Sequence, residues 1–364
     1  MSDPRDRFER IRAALSAADR EIVDALEARA KAVRELVALR AEAPNAYFLL
    51  PSHEEVLADV RARREEQGAR AMPEQAIEPI FREVLGACAS IAAPLRVAIP
   101  GPDGSLALVV ARELFGSLAE IVPVGSVVEA LLAVERQEVT SAVVPLETTS
   151  DGAISASLFA LARGSTRIVA ERTISNAYHL YSRTGNASDV EKIYATPVAL
   201  AACAGTIERE LPTATVMEVR SAQVAAQLAF SDHGSAAVGA SVSDQDPLRV
   251  VRSHIEEDPT LETRFVVAGR DAPRRTGADR TILALQLPEE PGSLYAALAP
   301  FAQRGINLTR LESRRAPGSL VEHTFFLELD GHVSDRAIVA VLDEVGGKSR
   351  HLKVLGSYPR PSHK

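Results

Sequence analysis

Three changes of texture along the chain predict a multidomain protein in which an all-α block is followed by an α/β block and then an α+β block. Residues 1–93 carry helical periodicity with little Gly or Pro punctuation. From Pro94 onward, short β-branched runs alternate with alanine-rich stretches, and beyond a polar segment at 269–280 the pattern changes again. The length of 364 residues agrees, since at roughly 100–200 residues per domain it allows two or three domains.

In the first block, Ile11, Leu15, Ile22, Leu26, Val33, Leu36 and Leu39 recur at spacings of three, four and seven without an internal Pro or Gly. That spacing predicts one long amphipathic helix over 7–40. Pro44 and Asn45 break it. A second helix is expected over 52–66 with Ser52 as N-cap, and after the break at 68–73 a third over 73–91. So long a helix does not bury its stripe alone, so it is expected to pack on its neighbours or on a second subunit.

In the second block LRVAIPG, TSAVVPLE, RIVAERT, EKIYAT, TATVMEV, SAAVGA and RFVVAG read as strands between helical segments. Strands that are apolar on both faces predict a largely parallel sheet, and the spread of strands predicts two lobes and a cleft. The segment GRDAPRRTGADR has linker chemistry. After it, TILALQL, GSLYAALAPFAQRG, INLTRLESR, HTFFLELDG, SDRAIVAVLDEVG and HLKVLGSY give βαββαβ, the ferredoxin-like arrangement.

Composition narrows the function. Forty-one Lys+Arg against forty-nine Asp+Glu give a formal charge of −8 and no basic field for a nucleic-acid partner. No apolar run long enough to span a membrane occurs, and the charged start MSDPRDRFERIRAAL lacks the apolar core of a secretion signal, so a cytoplasmic protein is expected. Cys88 and Cys203 stand far apart and the histidines are scattered, so neither a metal site nor a cofactor is expected.

The C-terminal segment PEEPGSLYAALAPFAQRGINLTRLESRR, followed by HTFFLELDGH, resembles the phenylalanine-sensing ACT domain of prephenate dehydratases. The resemblance implies an allosteric amino-acid site, with phenylalanine as the expected ligand, at Gly292, Ser293 and Leu294 after Pro291 and at Glu312, Ser313 and Arg314. Arg315 stands where the family usually has proline. A glycine at the strand-to-helix turn lets backbone amides approach a small carboxylate.

The middle block is similar to prephenate dehydratase itself. GPDGSLA at 101–107 resembles the family's GPxGTFS, AVVPLETTSDGAISASL at 142–158 its VPIENSxxGxVxxTLDLL, and LETRFVVAG at 261–269 its NxTRFxV. The resemblance implies a two-lobed, periplasmic-binding-protein-like domain whose cleft is served by Ser105, Glu147, Thr148, Thr263, Arg264 and Phe265. In it Thr263 is the general acid, and Arg264 and the 101–105 loop position the substrate. Losing carbon dioxide and hydroxide from prephenate yields an aromatic ring, so fixed carboxylates and one acid suffice. The chain also departs from the family. Thr148 and Leu261 replace asparagines, and Thr196, Val198 and Ala202 replace His, Gln and Gln.

The helical block resembles the chorismate mutase domain of bifunctional P-proteins, which places Arg12, Arg29 and Arg40 in a carboxylate clamp. Arg29 and Arg40 are eleven residues apart, about three turns, and share a face. Arg12 lies off that face and joins the cluster only from a partner helix. Leu49, Ser52 and His53 stand where the family has Asp, Arg and Glu, though a one-residue slip would supply Glu54. Ala92 stands where the third helix should present Glu or Gln. Losing one group that stabilises a transition-state oxygen costs about 10²–10³ in rate, which predicts a weak or inactive mutase.

The expected domains are therefore 1–93, 94–270 and 281–364 with a linker at 271–280. The expected substrates are prephenate and chorismate, and the expected assembly is a homodimer or homotetramer. Two readings remain open: a prephenate dehydratase of phenylalanine biosynthesis, or a catalytically degenerate relative that binds an aromatic metabolite or regulates a partner enzyme.

Overall fold

A computed structural model of the chain describes residues 3–42, 53–68, 71–92, 94–101, 105–149, 152–240, 248–315 and 323–361. Pro44, Asn45, Leu49 and Ser52 lie outside these residues, as does the middle of the 101–105 loop. Two compact units are present, 1–95 with 112–120 and 96–111 with 121–364.

The expected helices fall on α1 (Pro4–Glu42), α2 (His53–Gln67) and α3 (Glu74–Ala92). α1 packs on α3, and Val33, Leu85 and Cys88 are buried in this unit. Arg61 of α2 reaches Glu78 of α3 at 3.3 Å, and Arg82 reaches the same carboxylate at 3.2 Å. α3 runs so close to the segment at 115–117 that a Cβ at Gly86 would strike the Phe115 carbonyl. Much of the apolar stripe of α1 stays exposed: Ile11, Leu15, Ile22, Val23 and Leu26 are between 42% and 63% accessible.

The second block supplies β1 (Arg96–Pro100), α4 (Leu106–Phe115), β2 (Glu120–Val124), α5 (Val127–Glu135), β3 (Ser141–Thr148), β4 (Gly152–Ala153), α6 (Ser155–Arg163) and β5 (Arg167–Ser175). A second lobe follows with β6 (His179–Ser182), β7 (Lys192–Ala195), α7 (Pro197–Glu210), β8 (Thr215–Glu218), α8 (Ala222–Ser231), β9 (Ser235–Gly239) and β10 (Arg249–Ser253). The chain then returns to the first lobe as β11 (Glu262–Gly269). The C-terminal block is β12 (Asp279–Gln286), α9 (Ser293–Gln303), β13 (Leu308–Arg315), β14 (His323–Asp330), α10 (Arg336–Gly346) and β15 (His351–Pro359), which is the expected βαββαβ order. The sequence reading missed β2, β4, β6 and β10.

The expectation of a largely parallel sheet is corrected. β1 and β3 pair in parallel, but β11 lies antiparallel between β3 and β5. The reason is topological, since a strand that comes back from the second lobe enters the first sheet from the opposite end. The second lobe is likewise mixed, in the order β10-β6-β9-β7-β8, with antiparallel pairs at β10-β6 and β6-β9 and parallel pairs at β9-β7 and β7-β8.

The C-terminal sheet continues into the first lobe. Its order β13-β14-β12-β15 is extended by β5-β11-β3-β1-β2 through a parallel contact of β15 with β5 at Gly356 and Ile168. Only glycine fits there, because a Cβ on residue 356 would overlap the Ile168 carbonyl. One apolar core under this junction joins Leu158, Phe159 and Leu161 to Val266, Ile282, Phe326 and Tyr358.

Candidate functional site

Two connectors cross between the lobes, 176–178 leading from β5 to β6 and 254–261 leading from β10 to β11. Ile255 donates its amide to the Tyr178 carbonyl at 3.0 Å, and the Asn176 amide donates to the Leu261 carbonyl at 2.8 Å. Glu256 accepts from the Tyr178 amide at 2.7 Å and lies 3.1 Å from His254 Nδ1. Burial pushes the Glu256 carboxyl up, but the Tyr178 and Glu256 amides and then His254 outweigh it and hold it below the ordinary value. Burial, and next the nearby His254, hold His179 below the usual imidazole value. His254 adopts φ 54°, a left-handed backbone uncommon for a residue with a Cβ.

Thr263 sits where the returning connector becomes β11. It is 4% accessible, and its Oγ1 donates to Asn176 Oδ1 at 2.7 Å. Its Cα partners across the sheet are Thr148 on β3 and Ile174 on β5. Thr148 and Thr263, expected in one cleft, are therefore direct cross-strand neighbours. Phe265 packs in the core at 3% accessibility. Ser105 stands at the start of α4, where its Oγ accepts from the Leu108 amide at 3.4 Å, and no bond joins it to Thr263 among the described residues. Thr196 caps α7 through the Ala199 amide at 3.3 Å, and Val198 on that first turn is 71% accessible.

Arg264 and Glu147, the next residues on their strands, serve a different set of groups. Arg264 forms a two-pronged contact with Glu328 of β14, with Nη1 to Oε2 at 3.0 Å. It lies 3.5 Å from Glu147 and 3.8 Å from Glu171. Arg280 of β12 reaches Glu171 at 2.5 Å, and the buried Tyr358 hydroxyl donates to the same carboxylate at 3.0 Å. Arg310 contacts Glu147 and also pairs with Glu312, which in turn accepts from Arg314 at 2.7 Å. Burial works against the charge of Arg264, and Glu328 more than restores it. Arg264 and Glu147 thus bind the dehydratase-like strands to the C-terminal sheet, and the Arg264 side chain is committed there.

The expected amino-acid site opens onto a cavity of about 610 Å³ lined by Ser293, Leu294, Glu289, Glu290, His323, Phe325 and Arg350, among others. Gly292, in the left-handed region at φ 83°, starts α9 at its rim. Ser313 reaches the cavity wall through His323 Nδ1 at 3.0 Å, whereas Glu312 and Arg314 belong to the charge cluster on the opposite face of β13. Arg350, which the sequence reading did not single out, lines this cavity together with Glu289 and Glu290, so residues of both charge signs border it. That arrangement suits a zwitterion.

In the helical unit Arg12 and Arg29 lie on α1, with Arg12 exposed and Arg29 half-buried. Arg29 Nε is buried without a hydrogen-bond partner among the described residues. Arg40 also lies in α1, but its side chain falls outside the described part, as do those of His53 and Glu54. Among the described residues no helix is long and apolar enough to cross a membrane. Burial, and then Glu256 and Glu257, push the Cys203 thiol up to about 12, so it is no nucleophile.

Comparison with known proteins gives the same order of blocks. The chorismate mutase type II family matches residues 11–92, prephenate dehydratase 97–273 and the ACT domain 281–347. A bifunctional chorismate mutase/prephenate dehydratase of Aquifex aeolicus is 31% identical over 357 residues, covering 98% of each chain. The crystal structure of a prephenate dehydratase in complex with L-Phe from Arthrobacter aurescens superposes with a TM-score of 0.65 at 31% identity, over 74% of this chain and 91% of that one. A chain described as GqqA, a quorum quenching acylase, also superposes at 0.65, over 73% of this chain and 98% of its own. At 24% identity it speaks to the fold alone.

Proposed function

The chain belongs to the bifunctional chorismate mutase/prephenate dehydratase family, and from that premise we propose that it converts prephenate to phenylpyruvate, water and carbon dioxide with Thr263 as the acid. The observation that carries this reading is the nearly inaccessible Thr263 hydroxyl, held at the crossing of the two inter-lobe connectors and bonded at 2.7 Å to Asn176. In the reaction the ring carboxylate leaves as carbon dioxide and its electron pair enters the ring. The carbon–oxygen bond on the opposite side breaks, and the departing hydroxide takes the Thr263 proton to become water. The Thr263 oxygen then regains a proton from solvent. Aromatisation drives the step, so the protein's work is orientation and one proton.

Domain limits near 1–93, 94–270 and 281–364, with a linker at 271–280, are part of this proposal, and the order of the three matched blocks supports them. The cavity beside Ser293 and Leu294 is the proposed amino-acid site, and L-phenylalanine is its proposed ligand because the Arthrobacter relative is described with it. Chorismate is the proposed second substrate, at a clamp of Arg12, Arg29 and Arg40. The sequence has Ala92 at the end of α3 where the family presents Glu or Gln, so turnover there is expected to be slow. The exposed stripe of α1 favours a homodimer, and a biosynthetic role favours the cytoplasm.

Incubating the purified protein with prephenate tests the central reading, with phenylpyruvate formation as the expected result. A folded protein giving no turnover above the spontaneous background would overturn it and leave a ligand-binding regulator.

A further inference from the structure

Among the described residues the Thr263 hydroxyl donates to Asn176, a group the sequence did not mark. Asn176 is the first residue after β5, and its backbone amide is tied to the Leu261 carbonyl at 2.8 Å. Its side chain is thereby fixed beside the start of β11, with Oδ1 2.7 Å from Thr263 Oγ1. The contact is between neighbouring strand ends, since Thr263 is in register with Ile174, two residues before Asn176. Asn176 is only half-buried.

An aliphatic hydroxyl is a poor acid, because the alkoxide it leaves is strongly basic. A donor beside that oxygen is what the step needs. A carboxamide can both hold the hydroxyl and stabilise the oxygen it leaves. Oδ1 accepts the hydroxyl proton, and a half-turn about the last side-chain torsion presents Nδ2 to the same oxygen. The two settings differ only in which end of the amide faces Thr263, and they occupy nearly the same volume.

We propose that Asn176 is the positioning residue of the dehydratase site, holding the Thr263 hydroxyl in place and donating from Nδ2 to its oxygen as the proton leaves. This rests on the reading of Thr263 as the acid. The balance is that of the parent reaction: the Thr263 proton goes to the departing hydroxide, the carboxylate electron pair goes to the ring, and solvent returns a proton to Thr263. Of the nearby titratable groups, His254 and Glu256 on the returning connector and His179 at the start of β6 are engaged with one another, while Arg264, the next residue on β11, pairs with Glu328.

Asn176→Asp tests the proposal because it keeps the shape but, once ionised, cannot donate. With prephenate, kcat of N176D is expected to fall about 10²–10³-fold at alkaline pH and to recover toward the wild type as pH falls and the carboxyl is protonated, with KM within about threefold. Asn176→Ala is expected to lose a similar factor at every pH. Rates are compared over about pH 3.5 to about pH 9, which spans the ordinary aspartate value of about 3.9, after subtracting the spontaneous acid-catalysed reaction. If both variants keep wild-type kcat, or if the N176D loss is independent of pH and follows a loss of thermal stability, the proposal is overturned while the function stands. If the wild-type chain itself shows no turnover, the reading of Thr263 fails and the proposal falls with it.

Discussion

Thr263 and Arg264 are adjacent in sequence and face different surroundings. Successive side chains in a strand point to opposite faces, so Thr263 turns to Asn176 while Arg264 turns to Glu328, and Thr148 and Glu147 divide in the same way. That alternation was legible in the sequence once TRF was read as a strand. Asn176 was not, because nothing in SNAYHL marks a residue whose partner lies 87 positions away. Replacing Arg264 with Ala takes the two-pronged partner from the buried Glu328 and leaves Glu147 to Arg310 and Glu171 to Arg280, and chemical denaturation is expected to show a loss of about 3–5 kcal/mol. For Arg264→Lys, which keeps the charge but not the fork, a lower Tm with KM for prephenate changed less than about twofold is expected. A KM rise at unchanged Tm would return Arg264 to the substrate.

At the scale of elements, β13 carries two functions on its two faces. Ser313 looks toward the cavity through His323, and Arg310, Glu312 and Arg314 look toward Glu147 and Ala153. Burial raises the Glu312 carboxyl, and Arg310 and Arg314 more than offset this, leaving it below the ordinary glutamate value of 4.5. A folded-state value below the unfolded one contributes stability that is fully present above 4.5 and lost as pH falls through the lowered value. The Tm gap between wild type and Glu312→Gln is therefore expected to narrow in acid below that point and to stay constant above it. The β15–β5 junction makes a second prediction. A valine at Gly356 collides with Ile168, and a loss of about 1–3 kcal/mol in thermal or chemical unfolding is expected. The element order of the C-terminal block was legible, but its joining to β5 was not, since one parallel register pair leaves no periodic trace in sequence.

For the whole chain, the remaining question is what covers α1. Leu15, Ile22 and Leu26 are too exposed for a monomer's core, and a charge at two of them, as in Leu15→Glu with Ile22→Glu, is expected to shift the protein to a smaller species in light scattering after gel filtration. An unchanged mass would remove α1 as the contact. The sequence by itself determined the three blocks, their helices and most strands, and the family, because these depend on local periodicity and on contiguous motifs such as LETRFVVAG. Only the tertiary structure decided that β11 runs antiparallel, that Asn176 meets Thr263, and that Glu147, Arg264 and Glu328 form one cluster. Those are pairings between residues far apart in the chain. Their energy comes from burial and charge compensation that exist only once the strands are side by side.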